Sequence, residues 1–299
     1  MASVRDIRRR IKSVRNTAKI TKAMEMIAAS KMRRAQQRTL ASRPYAQKMR
    51  AVVSHLTGQA GDGEDTHPLL QRREVKNILL VHITPDRGLT GGLNGNLNRR
   101  AAQHILEEKR SMTVITVGKK SRDFMIRHGQ KVKAVFTDMS DKASIINILP
   151  ITKLIVDDYT SGAVDRVDII YADFISTMVQ KPAVRQLLPI APDAASMEGE
   201  GETADQTAVG KLGVDYIYEP ARADLLNDLL PRYVDMQVYQ ALLEAIASEQ
   251  SARMVAMRNA TENALEMIGG LTLELNKARQ GSITNELLDI VGGVAALEG

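Results

Sequence analysis

The sequence predicts a mixed α/β domain carried between two long terminal helices. Three observations support that class. The first 57 residues contain no glycine and a single proline, Pro44. The 68 residues after Pro231 contain no proline at all. Between these arms, short apolar runs alternate with helical stretches, the pattern of a layered fold with parallel sheet character. The boundaries drawn on this basis are 1–57 for the first helix, 75–219 for the α/β domain and 220–297 for the last helix.

The N-terminal arm is rich in Ala, Arg, Lys, Met and Gln, all good helix formers. Val4, Ile7, Ile11, Val14 and Ala18 recur at alternating steps of three and four, one apolar seam on a helix. Ile20, Met24, Ile27 and Ala28 continue an apolar stripe in a shifted phase. A helix over 2–57 would be roughly 85 Å long at about 1.5 Å per residue. Pro44 removes a hydrogen bond and predicts a bend.

The C-terminal arm carries a longer heptad seam: Leu229, Tyr233, Met236, Gln240, Leu243, Ala247, Gln250, Met254, Met257, Thr261, Ala264, Ile268, Leu271, Leu275 and Ala278. Its polar members, Gln240, Gln250 and Thr261, are expected to fix register. Gly269-Gly270 costs about 1 kcal/mol per Gly relative to Ala. The favoured reading is close approach of a partner helix there, the alternative a hinge. A helix this long needs a packing partner. The first 50 residues hold 15 Lys/Arg against Asp6 and Glu25, a net of +13; from Ala221 onward 6 basic face 11 acidic groups, a net of −5. The two arms are therefore expected to pair as an antiparallel coiled coil, helped by opposite charge.

In the middle, Val75–Ile83, Met112–Val117 and Val132–Phe136 read as strands. Asn94–Lys109, a short stretch from Ser121, and Ala143–Tyr159 read as helices. Val167–Ile175 and Ala183–Ile190 read as a closing hairpin. The domain is expected to be Rossmann-like. Residues 192–213 are rich in Ala, Gly, Glu and Asp without periodicity, and read as a mobile acidic loop. Tyr216–Tyr218 reads as a short strand before Glu219-Pro220.

Composition excludes several classes. The chain has no cysteine, so disulfides and thiolate metal sites are ruled out. The most apolar run, Ile145–Val156, is broken by Asn147, Pro150 and Lys153 and is too short to span a membrane. Aromatics make up 3% of residues against 14 Met, a balance suited to helix-on-helix packing. The basic arm alone would suit nucleic acid, but the acidic arm argues against that reading.

The loop Asp86-Arg87-Gly88-Leu89-Thr90-Gly91-Gly92 lies between strand and helix, where phosphates bind in nucleotide enzymes. Its spacing matches neither G-x-G-x-x-G nor the P-loop. The favoured reading is a tight turn with positive φ. His55, His67, His82, His104 and His128 have no metal-ligand spacing and read as surface or packing residues. No nucleophile, base and oxyanion donors assemble in the sequence. The Arg-rich start resembles a mitochondrial transit peptide, yet the seam runs on from Val4 without a cleavage-like break, which favours helix and a bacterial source.

Residues 5–36 (RDIRRRIKSVRNTAKITKAMEMIAASKMRRAQ) closely resemble the start of the γ subunit of F-type ATP synthases. So does the tail at 249–296, with DRGLTGGLN and DYIYEP between them. Small departures are Gly293 after Gly292, where the family has Ala, and Thr90, where it often has Cys. The plant-type regulatory cysteine pair is absent. The resemblance implies a rotor shaft without a catalytic site, whose rotation changes nucleotide affinities at sites on β subunits. It implies an α3β3 ring, an ε subunit and a c-subunit ring as partners, and no nucleic acid. ATP, ADP and Mg would be bound by the α and β subunits, with no cofactor on this chain. Contacts with β map onto Met24, Arg253, Arg279, Gln280 and Thr284; contacts with ε and the c ring map onto Tyr216, Tyr218 and Glu219. The implied location is peripheral, on the cytoplasmic face of the bacterial inner membrane.

Overall fold

A computed structural model of the chain describes residues 3–58, 67–139, 143–190 and 222–297. The acidic loop at 192–213, the strand at 216–218 and the contact residues Tyr216, Tyr218 and Glu219 lie outside the described residues. The first helix, α1, runs Val4–Gly58, and Pro44 does not end it. The last helix, α5, runs Arg222–Leu297. The chain divides into two compact units: Met1–Ser30 with Arg253–Gly299, and Lys31–Ala252. Both divisions fall inside a long helix.

The Lys31–Ala252 unit is built on five strands: β1 Asn77–Ile83, β2 Ser111–Val117, β3 Lys131–Phe136, β4 Arg166–Phe174 and β5 Gln180–Leu188. Helices α2 Leu93–Glu108, α3 Lys119–Arg127 and α4 Ile145–Thr160 connect them. The sheet order is β3-β2-β1-β4-β5, parallel except for the β4–β5 hairpin. Every strand expected from the sequence within the described residues is present, within three residues at its ends. β1 (NILLVHI) is buried from Ile78 onward, because a central parallel strand is covered on both faces. Its entry is pinned by Asp165, whose carboxylate accepts the N–H of Lys76 at 2.8 Å and of Asn77 at 2.9 Å.

α2 and α3 cover one face through Leu93, Leu97, Ala101 and Met125. α4 covers the other with the 31–58 part of α1 and the 222–252 part of α5, through residues such as Ile151, Val53, Leu230 and Leu242. Here the heptad reading of α5 fails. Leu226, Leu230, Val234, Val238, Leu242 and Ile246 are buried beside Leu243 and Ala247. The helix is covered nearly all round, because sheet and helices approach it from several sides. Ser248 Oγ donates to Ala172 O at 3.0 Å and Ser251 Oγ to Thr177 O at 2.7 Å, tying α5 to β4 and to the hairpin tip.

In the other unit, α1 and α5 pair antiparallel. Thr21 Oγ1 lies 2.6 Å from Thr261 Oγ1, and Arg258 Nε donates to Glu25 Oε1 at 3.3 Å. The less exposed positions of α5 here are Thr261, Ala264, Ile268, Leu271, Leu275 and Ala278, the expected seam. On α1 the phase does not shift. Burial continues from Ile7, Ile11 and Ala18 through Thr21, Glu25 and Ala28, whereas Ile20 and Ile27 are 60% and 57% exposed. The polar residues keep the seam because each finds a partner on α5. The Glu25–Arg258 pair also runs against net charge, its acid on the basic helix and its base on the acidic one. Gly269 and Gly270 are not points of close approach: a Cβ at either would meet nothing within 4 Å.

One buried and one half-buried ionisable group set opposite pH dependences in the Lys31–Ala252 unit. His82 is fully buried on β1, with no partner for either ring nitrogen among the described residues. Burial pushes its pKa down to about 3. The unfolded chain therefore takes up a proton below about pH 6.5 that the native state refuses. The stability is present above that pH and is lost as pH falls. His82→Leu is expected to flatten the fall in thermal midpoint between about pH 6.5 and 4; an unchanged slope would refute this. Glu244 on α5 behaves in the opposite sense. Burial pushes its carboxyl up, against the nearby Arg185 charge and the hydrogen bond from Gln240. Native Glu244 keeps a proton that the unfolded chain has lost, so stability falls as pH rises through its raised value. Glu244→Gln is expected to raise the thermal midpoint near pH 8, with the gain vanishing toward pH 4; equal gains at both would contradict the assignment.

Candidate functional site

Three places deserve a functional reading. The first is the crevice at the carboxyl ends of β1 and β2, where open α/β sheets bind nucleotides. The helix donors that would meet a phosphate are already used. Asp86 Oδ1 accepts the N–H of Lys119 at 3.0 Å, and Thr84 Oγ1 accepts that of Ser121 at 2.7 Å. Gly118 sits at φ 107° between them, and a Cβ there would lie 2.0 Å from Thr84 O. Leu242, Ala245, Ile246 and Glu249 of α5 close the crevice, leaving a cavity of about 20 Å³. That is room for roughly one water, whereas ligand pockets run to several hundred Å³. The glycine loop is the expected tight turn. Leu89 and Gly91 take positive φ of 64° and 56°, and buried Thr90 accepts from Asn94 Nδ2 at 3.2 Å.

The second place joins three potential ligands that lie far apart in sequence. His104, Glu108 and Asp168 bring ligand atoms within 4.8 Å of one another. Their centre is occupied by Arg166, which donates to Asp168 Oδ2 from Nε at 3.0 Å and from Nη2 at 2.7 Å, and also to Glu108. His104 Nε2 is 2.9 Å from the same Asp168 oxygen. A cation placed here would meet a guanidinium, so the cluster is an ion-pair network joining α2 to β4. Spacing could not reveal it, because Asp168 is 64 residues from His104. The remaining described histidines also pack locally. His67 Nδ1 accepts from Leu69 N at 3.2 Å, and the His128 ring centre is 4.2 Å from that of Phe124.

The third is the surface of the paired-helix unit. Extending the Thr21–Thr261 register places Val4 opposite Ala278. Beyond it, α5 is exposed throughout 279–293. Arg279 and Gln280 are exposed, and Thr284 Oγ1 donates to Gln280 O at 3.0 Å. Ile283, Leu287, Leu288, Ile290 and Val291 are all at least half exposed. Met24 and Arg253 are half-buried. A helical end with this much uncovered apolar surface fits a partner-binding element.

A family model described as ATP synthase matches residues 3–297. The ATP synthase gamma chain of Dehalococcoides mccartyi is 54% identical over 297 residues, covering 99% of this chain and all of that one. The chain belongs to the ATP synthase gamma chain family. The gamma chain of Herpetosiphon aurantiacus is 47% identical over 306 residues, covering 99% of each. The fold agrees with a chain of the Euglena gracilis mitochondrial ATP synthase OSCP/F1/c-ring structure, with a TM-score of 0.67 at 23% identity over 98% of this chain and 94% of that one. A chain from the central stalk and c-ring structure of Tetrahymena thermophila mitochondrial ATP synthase gives 0.60 at 26% identity, covering 81% and 99%. No helix among the described residues is long and apolar enough to cross a membrane.

The filled crevice carries a direct expectation for this chain. Equilibrium dialysis of the full chain against Mg-ATP is expected to show no retained nucleotide at concentrations near 1 mM, about the weak end of ordinary substrate affinities. Stoichiometric retention would show that the crevice opens.

Proposed function

We propose that the chain is the central shaft of a rotary ATP synthase, with the paired helices seated in an α3β3 ring of ATPase subunits. The carrying observation is the exposed apolar end of α5 around Ile283–Val291, which nothing among the described residues covers. Rotation of one asymmetric shaft in a three-fold ring presents different side chains to each catalytic site. A contact made at one site only shifts that site's conformational equilibrium, which is the differential interaction coupling requires. The residues assigned to β contact are Met24, Arg253, Arg279, Gln280 and Thr284. Those assigned to the ε subunit and the c ring are Tyr216, Tyr218 and Glu219. Nucleotide and Mg bind the ring subunits, this chain holds no cofactor, and nucleic acid is not a partner. The complex sits on the cytoplasmic face of a bacterial inner membrane, this chain being peripheral to it.

Arg279 and Gln280 supply the test. An exposed guanidinium on a helix is free to form charge-assisted, bidentate hydrogen bonds to a partner carboxylate that Lys does not reproduce. Losing such a contact costs on the order of 2–3 kcal/mol, about a 30- to 150-fold change in an equilibrium between site conformations. Arg279→Ala with Gln280→Ala is expected to co-purify with the ring subunits yet show much reduced ATP hydrolysis and synthesis. Wild-type rates from an assembled double variant would remove these residues from the contact. Failure of the unmodified chain to co-purify with a ring of two ATPase subunits would remove the shaft reading itself.

A further inference from the structure

We propose that the tip of the β4–β5 hairpin, residues 175–179, is a preformed apolar bearing point against which the β subunits of the surrounding ring turn. The choice of β as the occupant rests on the shaft reading. The loop Ile175-Ser176-Thr177-Met178-Val179 holds one turn-forming residue, Ser176. Hairpin loops ordinarily draw on Gly, Asn, Asp and Pro. Here Ile175, Met178 and Val179 stand 54%, 70% and 43% exposed. Single apolar side chains at a surface need no explanation, but a cluster of them on one short loop marks an interaction site.

Hydrogen bonds hold the tip in one shape. Ser176 N–H donates to Val179 O at 3.1 Å, and Val179 N–H to Ser176 O at 3.3 Å. The N–H groups of Met178 and Val179 also donate to Ser176 Oγ, at 3.3 and 3.1 Å. Gln180 Nε2 donates to the carbonyls of Ser176 at 3.2 Å and Thr177 at 3.1 Å. Ser251 Oγ on α5 adds the 2.7 Å bond to Thr177 O. The polar groups of the loop are thus turned inward and its apolar side chains outward. A surface ordered in advance loses little entropy when a partner covers it. Its place in the fold names the partner. Ser251 and Arg253 share one turn of α5, and Arg253 is assigned to β contact. The chain itself runs away from the tip: β5 leaves it, and α5 begins at Arg222, roughly 43 Å along the helix from Ser251. The chemistry suits a contact made and broken as a shaft turns. Apolar contact is non-directional, with no hydrogen bond to break at each passage. Met is unbranched and flexible, so it fits surfaces of differing shape.

The cysteine-free chain allows a single reporter in the assembled complex. Met178→Cys, labelled with a benzophenone maleimide and irradiated, is expected to cross-link to β. Leu106→Cys is the control: the position is 75% exposed near the last turn of α2, and no β product is expected from it. Assembly is scored first, by co-purification with the ring subunits, so a failure of the shaft reading shows separately. In the assembled complex, a Met178→Cys chain that gives no β product, or gives product only with α, ε or c, overturns the proposal. Equal β product from both positions overturns it as well. Met178→Asp sets a carboxylate against the apolar surface that β presents, and desolvating an unpaired charge at each passage is costly. This variant is expected to slow ATP hydrolysis by the complex at least about fivefold. The thermal midpoint of the chain is expected to stay put, because the side chain is exposed. Met178→Leu keeps the apolar contact and is expected to keep wild-type rates. Wild-type hydrolysis from an assembled Met178→Asp complex, or an equal loss in Met178→Leu, overturns the bearing role.

Discussion

A helix as long as α5 has no means of staying ordered by itself, since propensity alone does not hold isolated helices together in water. What covers it therefore governs the rest of the molecule. Between Leu226 and Ala247 the cover is nearly complete, supplied by the sheet, α4 and the later part of α1. In the paired-helix unit the cover shrinks to a single stripe at Thr261, Ala264, Ile268, Leu271, Leu275 and Ala278. Past Ala278 the described residues supply none, and large apolar side chains stand in the open. The surface left over is the part of the molecule that calls for another protein.

The same helix fills the carboxyl-end crevice of this Rossmann-like sheet. The carboxyl-end crevice is the ligand site of this architecture, but here Leu242, Ala245, Ile246 and Glu249 sit in it. Thr84 and Asp86 consume the helix donors beside it. The fold acts as a mount for a helix, in keeping with the rule that function is grafted on a fold by its site and not dictated by it.

Buried polar groups divide into those with partners and those without. His104, Asp168, Arg166 and Glu108 satisfy one another and join α2 to β4. Across the two paired helices, buried Thr21 and Glu25 meet the less buried Thr261 and Arg258. Among the described residues His82 has no partner, while burial pushes the Glu244 carboxyl up despite its bond from Gln240, so each ties stability to pH in its own direction.

The sequence by itself determined the element order, the strands to within three residues, the antiparallel pairing and the family, because each is written in local periodicity or in contiguous motifs. Val4–Ala18 and Thr261–Ala278 show their seams at heptad spacing, and VKNILLVHI shows its strand as an unbroken apolar run. Tertiary structure alone decided the rest. Apolar Ile20 and Ile27 lost the seam to polar Thr21 and Glu25, because a buried polar residue is tolerated once a partner 233 or 240 residues away accepts it. Gly269-Gly270 proved to have open space where close packing was expected, since no described residue places an atom within 4 Å of a Cβ there. The heptad reading of Leu229–Gln250 gave way to all-round burial, and the glycine loop closed into a turn beside a filled crevice. Each of these outcomes depends on which elements arrive from far away in the chain, and local spacing carries no record of that.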